Sequence, residues 1–203
     1  APTVPHLGYK ELTPLGQAEW LKVTGLLTGH EREAAAAFDS IAARYNSLKA
    51  RVDSAAVASG RRPKVFSGEM RGGNWYAVGG RSFLAELFRD AGADYFLKDN
   101  TESGGVTLDY ETVFAAASDA DYWRIVNSHD GEYSYDVLRA SDERYAGFRA
   151  WKDHGVIYCN MNEKPFYEKM PVEPDVILAD FVSVFHPSLL PGREPVYYHL
   201  LDK

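Results

Sequence analysis

The sequence predicts an α/β domain, with a central parallel or mixed β-sheet flanked by helices on both faces. Short runs rich in β-branched and aromatic residues, at 64–67, 121–126 and 156–159, alternate with helical runs, which is the pattern of α/β folds. A long helical region, 14–58, precedes them and is the most regular part of the chain. With 203 residues, the chain is long enough to bury the core of such a fold.

Composition and charge exclude several functional classes. The formal net charge is −7 and the basic residues are scattered, which argues against nucleic-acid binding because that depends on clustered lysine and arginine. No apolar run approaches the roughly 18 residues of a membrane-spanning helix. The single cysteine, Cys159, excludes an internal disulfide and a cysteine metal cluster, and its sequence neighbours favour a buried structural role.

The long helical region divides into two predicted helices. Pro14 suits a first turn, and apolar spacing then predicts helices near 15–28 and 30–58. The residues between them, 28–31, have the Thr-x-x-Glu pattern of a capping box at the start of the second helix. Gly60 is the expected end of that helix.

A glycine-bearing turn after the first strand is the segment most suggestive of function. It covers 69–74 and carries Arg71, whose fork of donors suits carboxylate, catecholate or hydroxamate oxygens. Trp75 and Tyr76 follow on a short strand, and their rings can stack on a ligand. We expect Trp75 to lie partly exposed at a surface cleft; the alternative is a core position for Trp75 and a solvated loop position for Arg71.

The remaining predicted elements alternate in the same way. The residues near 98–107 form a polar loop. The strands and helices expected around it are a helix at 83–91 capped by Ser82, a short strand at 94–97, helices at 108–117, 136–151 and 174–185, and an extended segment at 196–200.

Two polar loops follow predicted strands, where ligands of open α/β sheets tend to bind. Tyr133 and Tyr135 lie in the first loop, and one of the two, Tyr133 in the expected set of ligand contacts, is expected to face the cleft. His129, Asp130 and Glu132 are adjacent in that loop, and neighbouring loop residues seldom converge on one ion, so no metal site is predicted. Asn160 ends the next strand, where its amide could either bind a ligand or form the turn.

Four segments, in order along the chain, resemble the bacterial substrate-binding proteins of ABC importers for iron–siderophore complexes, haem or cobalamin. They are PLGQAEWLKVTGLL at 14–27, SFLAELFRDAGADY at 82–95, FRAWKDHGVIYCNMN at 148–162 and PDVILADFVSVFHPSLLPGREPVYYHLL at 174–201. One departure is a shortened loop at 163–169, which puts the ligand contacts of that loop in doubt.

The resemblance implies a two-lobed architecture, in which a long rigid helix joins two α/β lobes and the ligand lies between them. Residues 1–30 would then be a lead-in and the connecting helix, and 31–203 the C-terminal lobe. A first lobe, a signal peptide and a lipid anchor are expected to precede this chain. The protein is expected in the periplasm, as a lipoprotein in its full-length form and membrane-associated only through that anchor.

The resemblance also implies a role and partners. The cargo would be a ferric siderophore, haem or a corrinoid such as cobalamin, with no resident cofactor and no protein metal site, and the partner would be the membrane permease. In the family, a glutamate on each lobe meets permease arginines, and Glu86 stands where the second-lobe glutamate would be. The expected ligand contacts are Arg71, Trp75, Tyr76, Tyr133 and Asn160.

Two other functional classes remain open from the residues alone. A small α/β hydrolase-like enzyme would need a nucleophile, a base and an acid, and the chain has neither a G-x-S-x-G elbow nor an HExxH motif, so no catalytic residue is assigned. A protein-interaction domain without a small ligand is the other alternative.

Overall fold

The computed structural model describes residues 3–202, in which a five-stranded sheet and a three-stranded sheet are surrounded by eight α-helices. The strands are β1 (Lys64–Ser67), β2 (Glu69–Arg71), β3 (Asn74–Val78), β4 (Asp94–Tyr95), β5 (Gly105–Leu108), β6 (Tyr122–Asn127), β7 (Val156–Asn160) and β8 (His199–Leu200). The helices are α1 (Pro14–Thr28), α2 (Glu31–Ser59), α3 (Phe83–Asp90), α4 (Tyr110–Ala117), α5 (Tyr135–Ser141), α6 (Arg149–Lys152), α7 (Phe166–Lys169) and α8 (Pro174–Phe185).

The larger sheet has the order β4-β1-β6-β7-β8, with the first four strands parallel and β8 antiparallel to β7. The smaller sheet is antiparallel, in the order β2-β3-β5. The predicted α/β class, with a mixed and mostly parallel central sheet, is confirmed. The three predicted strands are confirmed: β1 has the predicted ends, and the ends of β6 and β7 differ from the predicted ones by at most one residue.

Alternation along the parallel strands divides the interior into two cores, because successive side chains point to opposite faces. On one face, Val65 and Ile157 pack with α2, α3 and α8. On the other, Phe66 and Trp123 pack with the small sheet, α4, α5 and a 3₁₀ turn at Glu143–Gly147. The strands β1, β6 and β7 therefore contribute side chains to both cores.

The two long helices are confirmed, but the capping box between them is wrong. Thr28 belongs to the last turn of α1, where its Oγ1 donates to the carbonyl of Thr24 at 2.9 Å. Gly29 then ends α1 in the left-handed conformation, with a φ of 71°. His30, without a side-chain cap, precedes α2. Thr28 was assigned wrongly because a threonine can also bond back to its own helix.

The Ser82 cap and the start of α8 are confirmed, whereas the polar loop predicted near 98–107 is only partly a loop. Ser82 caps α3, accepting from the backbone N–H of Ala85 at 3.2 Å, and α8 runs from Pro174 as predicted. The region expected to be a loop up to 107 contains the start of β5, which pairs with β3.

The single helix expected at 136–151 is instead three short pieces: α5, the 3₁₀ turn and α6. The break comes at Asp142, which is extended and whose carboxylate accepts from the backbone N–H of Arg144 at 3.0 Å. Aspartate favours such local caps over a helix interior. The extended segment near 196–200 pairs with the sheet only at β8.

None of the helices within 3–202 combines the length and the apolar character that crossing a bilayer would need.

Candidate functional site

A cleft of about 900 Å³ lies at the carboxyl ends of the central strands. Gly68, Val126 and Met161, at or just beyond the ends of β1, β6 and β7, lie at its base. Its walls come from the segment at 9–12, from β2, β3 and α3, and from α7 together with Tyr198. Ligands of open α/β sheets bind at this edge, so the cleft is the candidate site.

Three tyrosines stand in the cleft with their rings in solvent. Tyr9 is 71% exposed, Tyr76 49% and Tyr167 65%, although large aromatic side chains are normally more buried. The cleft surface between them is apolar, with Val78, Leu84, Leu87, Met170 and Ile177 among the lining residues. Such rings offer stacking faces while their hydroxyl groups stay hydrated, which suits a ligand with large flat or apolar parts.

Arg124, in the middle of β6, lines the cleft and is only 7% exposed. Its Nε donates to the hydroxyl of Tyr198 at 2.9 Å, its Nη2 donates to the same oxygen, and its guanidinium lies 5.1 Å from the centre of that ring. Within 3–202, no carboxylate forms an ion pair with Arg124. The cleft therefore has a nearly buried cation that the described protein leaves without a counter-charge.

Tyr198 is held over Arg124 by a buried carboxylate on α8. Asp180, 0% exposed, accepts from the backbone N–H groups of Val196 at 3.1 Å, Tyr197 at 2.7 Å and Tyr198 at 3.1 Å. It also pairs with Arg193 at 2.9 Å, which offsets the cost of burying its charge. These bonds fix the C-terminal segment against α8 and so position the Tyr198 ring.

Arg71 lies in the cleft as an exposed side chain, and its environment differs from that of Arg124. Its Nη2 and Nε donate to Oε1 of Glu69 at 2.6 and 3.1 Å, and this hydrogen bonding raises the pKa of Arg71. The other carboxylate oxygen of Glu69 accepts from Asn127 at 3.1 Å. The charge of Arg71 is therefore balanced within the small sheet.

The expectation that Trp75 is exposed at the cleft is wrong. Trp75 is 0% exposed, and its Nε1 donates to the carbonyl of Ser67 at 2.9 Å. Its ring lies 5.9 Å from Phe66, 5.6 Å from Trp123 and 5.7 Å from Phe148, centre to centre. Residues 74–78 alternate between the two faces of β3, and Trp75 falls on the inner one. A direct ligand contact by Trp75 is therefore excluded in this structure.

Tyr133 and Asn160 do not line the cleft either. Tyr133 is half-buried and stacks on Tyr158 with ring centres 4.2 Å apart, and burial raises its pKa to about 12. Asn160 is buried, and its amide bonds both the N–H and the carbonyl of His129, at 3.2 and 2.9 Å. Of the two roles open to Asn160, the structure has the one in which it forms the turn.

Glu86 lies on α3, where its side chain is mostly buried and paired with Arg89. No contact of Glu86 in the structure tests its role in docking to the permease, which stays a prediction. Across residues 3–202 there is no group of three or more histidine, cysteine, aspartate or glutamate side chains arranged to hold a metal ion.

The cleft contains residues that were not among the sequence-based candidates: Tyr9, Arg124, Tyr167 and Tyr198. Only Arg124 had a usable signal, since it interrupts the β-rich run YWRIVN at 122–127, where a charge is unusual unless it is paired or functional. The tyrosines come from segments far apart in sequence, and nothing local to them indicated a common surface.

Comparison with known proteins gives one family and a consistent fold. The family model described as periplasmic binding protein matches residues 1–162. An uncharacterized lipoprotein of Methanocaldococcus jannaschii is 26% identical over 193 residues, covering 94% of this chain and 44% of that protein.

Two solved structures illustrate the shared fold. A periplasmic heme binding protein from Pseudomonas aeruginosa is 19% identical, with a TM-score of 0.68 over 94% of this chain and 66% of that one. An ABC-type Fe³⁺-hydroxamate transport system protein from Saccharomonospora viridis is 20% identical, with a TM-score of 0.64 over 86% of this chain and 56% of that one. The chain thus spans less than two thirds of the length of each of these three proteins.

Proposed function

The chain belongs to the periplasmic binding protein family, and on that premise we propose that it is part of the substrate-binding component of an ABC importer. The cargo is an iron complex, either a ferric siderophore or haem, or else a corrinoid. The protein captures it in the cleft, between this lobe and a second lobe, and delivers it to the membrane permease. The names of similar structures, one for heme and one for Fe³⁺-hydroxamate, support an iron complex over other small molecules.

The observation that carries the proposal is the cleft itself. Its volume of about 900 Å³ lies near the upper end of the roughly 300–1,000 Å³ common for small-molecule sites. Exposed tyrosines around an apolar surface suit a large ligand with flat or apolar parts, such as a porphyrin, a corrin or a siderophore. A bare metal ion would need a cluster of oxygen, nitrogen or sulfur ligands instead.

The proposed contacts come from the small sheet and from the two chain segments that flank the cleft. Tyr76 and Arg71 are retained from the sequence-based set, since both line the cleft. Tyr9 and Tyr167 join them because their rings are the most exposed in the cleft. Trp75, Tyr133 and Asn160 are not among the proposed ligand contacts, because they do not line the cleft.

Localisation outside the cytoplasmic membrane, with a lipid anchor on the full-length protein, is part of the proposal. The family name and the lipoprotein name of the relative from Methanocaldococcus jannaschii support it. Globomycin-sensitive processing and labelling with a radioactive fatty acid would test the anchor. A full-length protein that fractionates with the cytoplasm would contradict the localisation.

The proposed function is tested by cargo binding to the full-length protein. Haemin, a ferric tris(catecholate), a ferric tris(hydroxamate) and cobalamin are titrated separately, following tryptophan fluorescence or heat. One class is expected to bind at micromolar concentration or tighter, and Tyr76→Ala is expected to weaken it. Val57→Ala, which removes an exposed side chain on α2 away from the cleft, is the control. Failure of all four ligands to bind would overturn the proposal.

Permease docking by Glu86 is tested separately, by transport. The full-length Glu86→Gln variant is expected to bind cargo normally but to deliver it to the reconstituted permease several-fold more slowly. Glu33→Gln, which removes an exposed carboxylate on α2, serves as a charge-matched control. Unchanged delivery by the Glu86 variant would remove this residue from the docking surface.

A further inference from the structure

We propose that the cleft selects for an anionic group on its cargo, that Arg124 binds this group, and that Asp180 acts as a positioning residue for Arg124 through Tyr198. The inference rests on the proposed function, and it narrows the cargo to ligands that carry negative charge at one end.

A nearly buried guanidinium without a counter-charge is costly, because desolvation of an ion is repaid only by a partner of opposite charge and by hydrogen bonds. Arg124 has hydrogen bonds from Nε and Nη2 to the hydroxyl of Tyr198, and its remaining nitrogen, Nη1, bonds to nothing within 3–202. Because Arg124 lines the cleft, a ligand bound there can supply the missing counter-charge.

The groups around Arg124 are neutral at physiological pH. Burial raises the pKa of the Tyr198 and Tyr95 hydroxyls well above their ordinary value, and it raises that of the Cys159 thiol to about 11. The nearby carboxylates are already engaged: Asp180 with Arg193, and Glu69 with Arg71. The positive charge of Arg124 is therefore not cancelled locally.

The second part of the proposal follows from how Arg124 is oriented. Tyr198 is its hydrogen-bonding partner and also lies against its guanidinium face. Tyr198 in turn belongs to the segment whose backbone N–H groups are held by Asp180. Asp180 therefore acts on Arg124 only through the placement of Tyr198.

The test uses pairs of ligands that differ in charge. Haemin, with two propionates, is compared with haemin dimethyl ester, and a trianionic ferric tris(catecholate) with a neutral ferric tris(hydroxamate). The full-length wild-type protein is expected to prefer the anionic member of at least one pair by tenfold or more, which corresponds to about 1.4 kcal/mol. Higher salt concentration should weaken that preference.

Variants then separate recognition from positioning. Arg124→Met is expected to abolish the preference while keeping the affinity for the neutral ligand within about twofold. Tyr198→Phe keeps the ring and removes the hydroxyl, and should reduce the preference for the anionic ligand three- to tenfold. Asp180→Asn, once thermal unfolding has shown that the variant is folded, should reduce this preference by a similar factor. Arg61→Met removes an exposed cation at the opposite end of the sheet, paired with Asp121, and should leave the preference unchanged.

The outcomes are distinguishable. Binding without a preference for the anionic member, or a preference that survives Arg124→Met, overturns this inference and leaves the proposed function standing. A preference lost in Arg124→Met but fully retained in Tyr198→Phe overturns the positioning role. Failure of wild-type protein to bind any of the four ligands overturns the proposed function, and the inference falls with it.

Discussion

Trp75 and Tyr76 are neighbours on β3, and they belong to two different regions of the molecule. Trp75 is enclosed in an aromatic core behind the small sheet, with Phe66, Trp123 and Phe148 around it. Tyr76 stands in the cleft in front of the sheet, half in solvent. Because side chains alternate along a strand, one short segment supplies both stability and a candidate binding surface.

An aromatic residue beside a glycine-rich turn is therefore not necessarily a ligand contact. The backbone does approach closely here: Gly68 has a φ of 101°, and a Cβ on it would lie 2.0 Å from the carbonyl oxygen of Tyr76. The glycine serves to bring β1 and β3 together and to seat the Trp75 ring, rather than to open a site.

The largest expected effect concerns the core side of β3. Trp75→Ala should lower the free energy of unfolding by about 3–5 kcal/mol, because it leaves a large cavity and an unpaired carbonyl at Ser67. Urea unfolding measures this, with Tyr76→Ala as the matched neighbour, which should change stability by less than about 0.5 kcal/mol. Equal losses in the two variants would erase the distinction between the regions.

Cys159 provides an independent readout of the same change. It is fully buried, and burial raises its pKa to about 11, so at pH 8 the folded protein holds a protonated and enclosed thiol. Alkylation should therefore require opening of the fold, and should be about a hundredfold faster or more in Trp75→Ala. Rapid alkylation of the wild-type protein would show that the core around Cys159, on the opposite face of the large sheet from Trp75, is not closed.

The next effect concerns the glycine between the two regions. Gly68→Ala should destabilise the protein by about 2–3 kcal/mol, since the new methyl group meets backbone and the residue has a φ that favours glycine. Gly72→Ala is the control, with a φ of 56° and no heavy atom within 4 Å of the added Cβ. Gly72→Ala has the strain of an alanine at positive φ but no steric clash of its Cβ, and should lower the free energy of unfolding by about 1 kcal/mol. The same loss for both glycines would mean that the close approach at Gly68 contributes nothing.

A smaller effect is expected on the cleft side, and in binding rather than stability. Tyr76→Ala should weaken cargo binding by about tenfold, or about 1.4 kcal/mol, because a ligand in the cleft would bury the half-exposed ring further. Trp75→Phe, which alters the core side and leaves the cleft surface intact, should keep the cargo affinity within about twofold. Calorimetric titration of both full-length variants decides whether the two sides of β3 separate in function as they do in burial.

The smallest effect is expected for the exposed ion pair beside β3. Arg71→Met should change the free energy of unfolding by less than about 1 kcal/mol, since solvent-exposed pairs contribute little. Urea unfolding at low and high salt measures it. A loss comparable to that of Trp75→Ala would mean that the cleft side carries more of the stability than its exposure indicates.

The order of helices and strands was largely predictable because it depends on local patterns. Strands near 64–67 and 156–159, the cap at Ser82 and the start of α8 at Pro174 follow from β-rich runs, a capping hydroxyl and proline at a first turn. The predictions failed where two local structures compete, as at Thr28 and at Asp142, whose side chains bond to backbone in ways the residue type alone leaves open.

By itself, the sequence determined the α/β class, the two long helices and the family resemblance, because hydrophobic periodicity and short motifs are properties of neighbouring residues. The tertiary structure decided which side of β3 faces the cleft, since that depends on how the small sheet packs on β1 and β6. It also decided which arginine lacks a counter-charge. Arg71 pairs with Glu69, two residues away. Within residues 3–202, the guanidinium of Arg124 hydrogen-bonds only to Tyr198, 74 residues later in the chain and held there by Asp180.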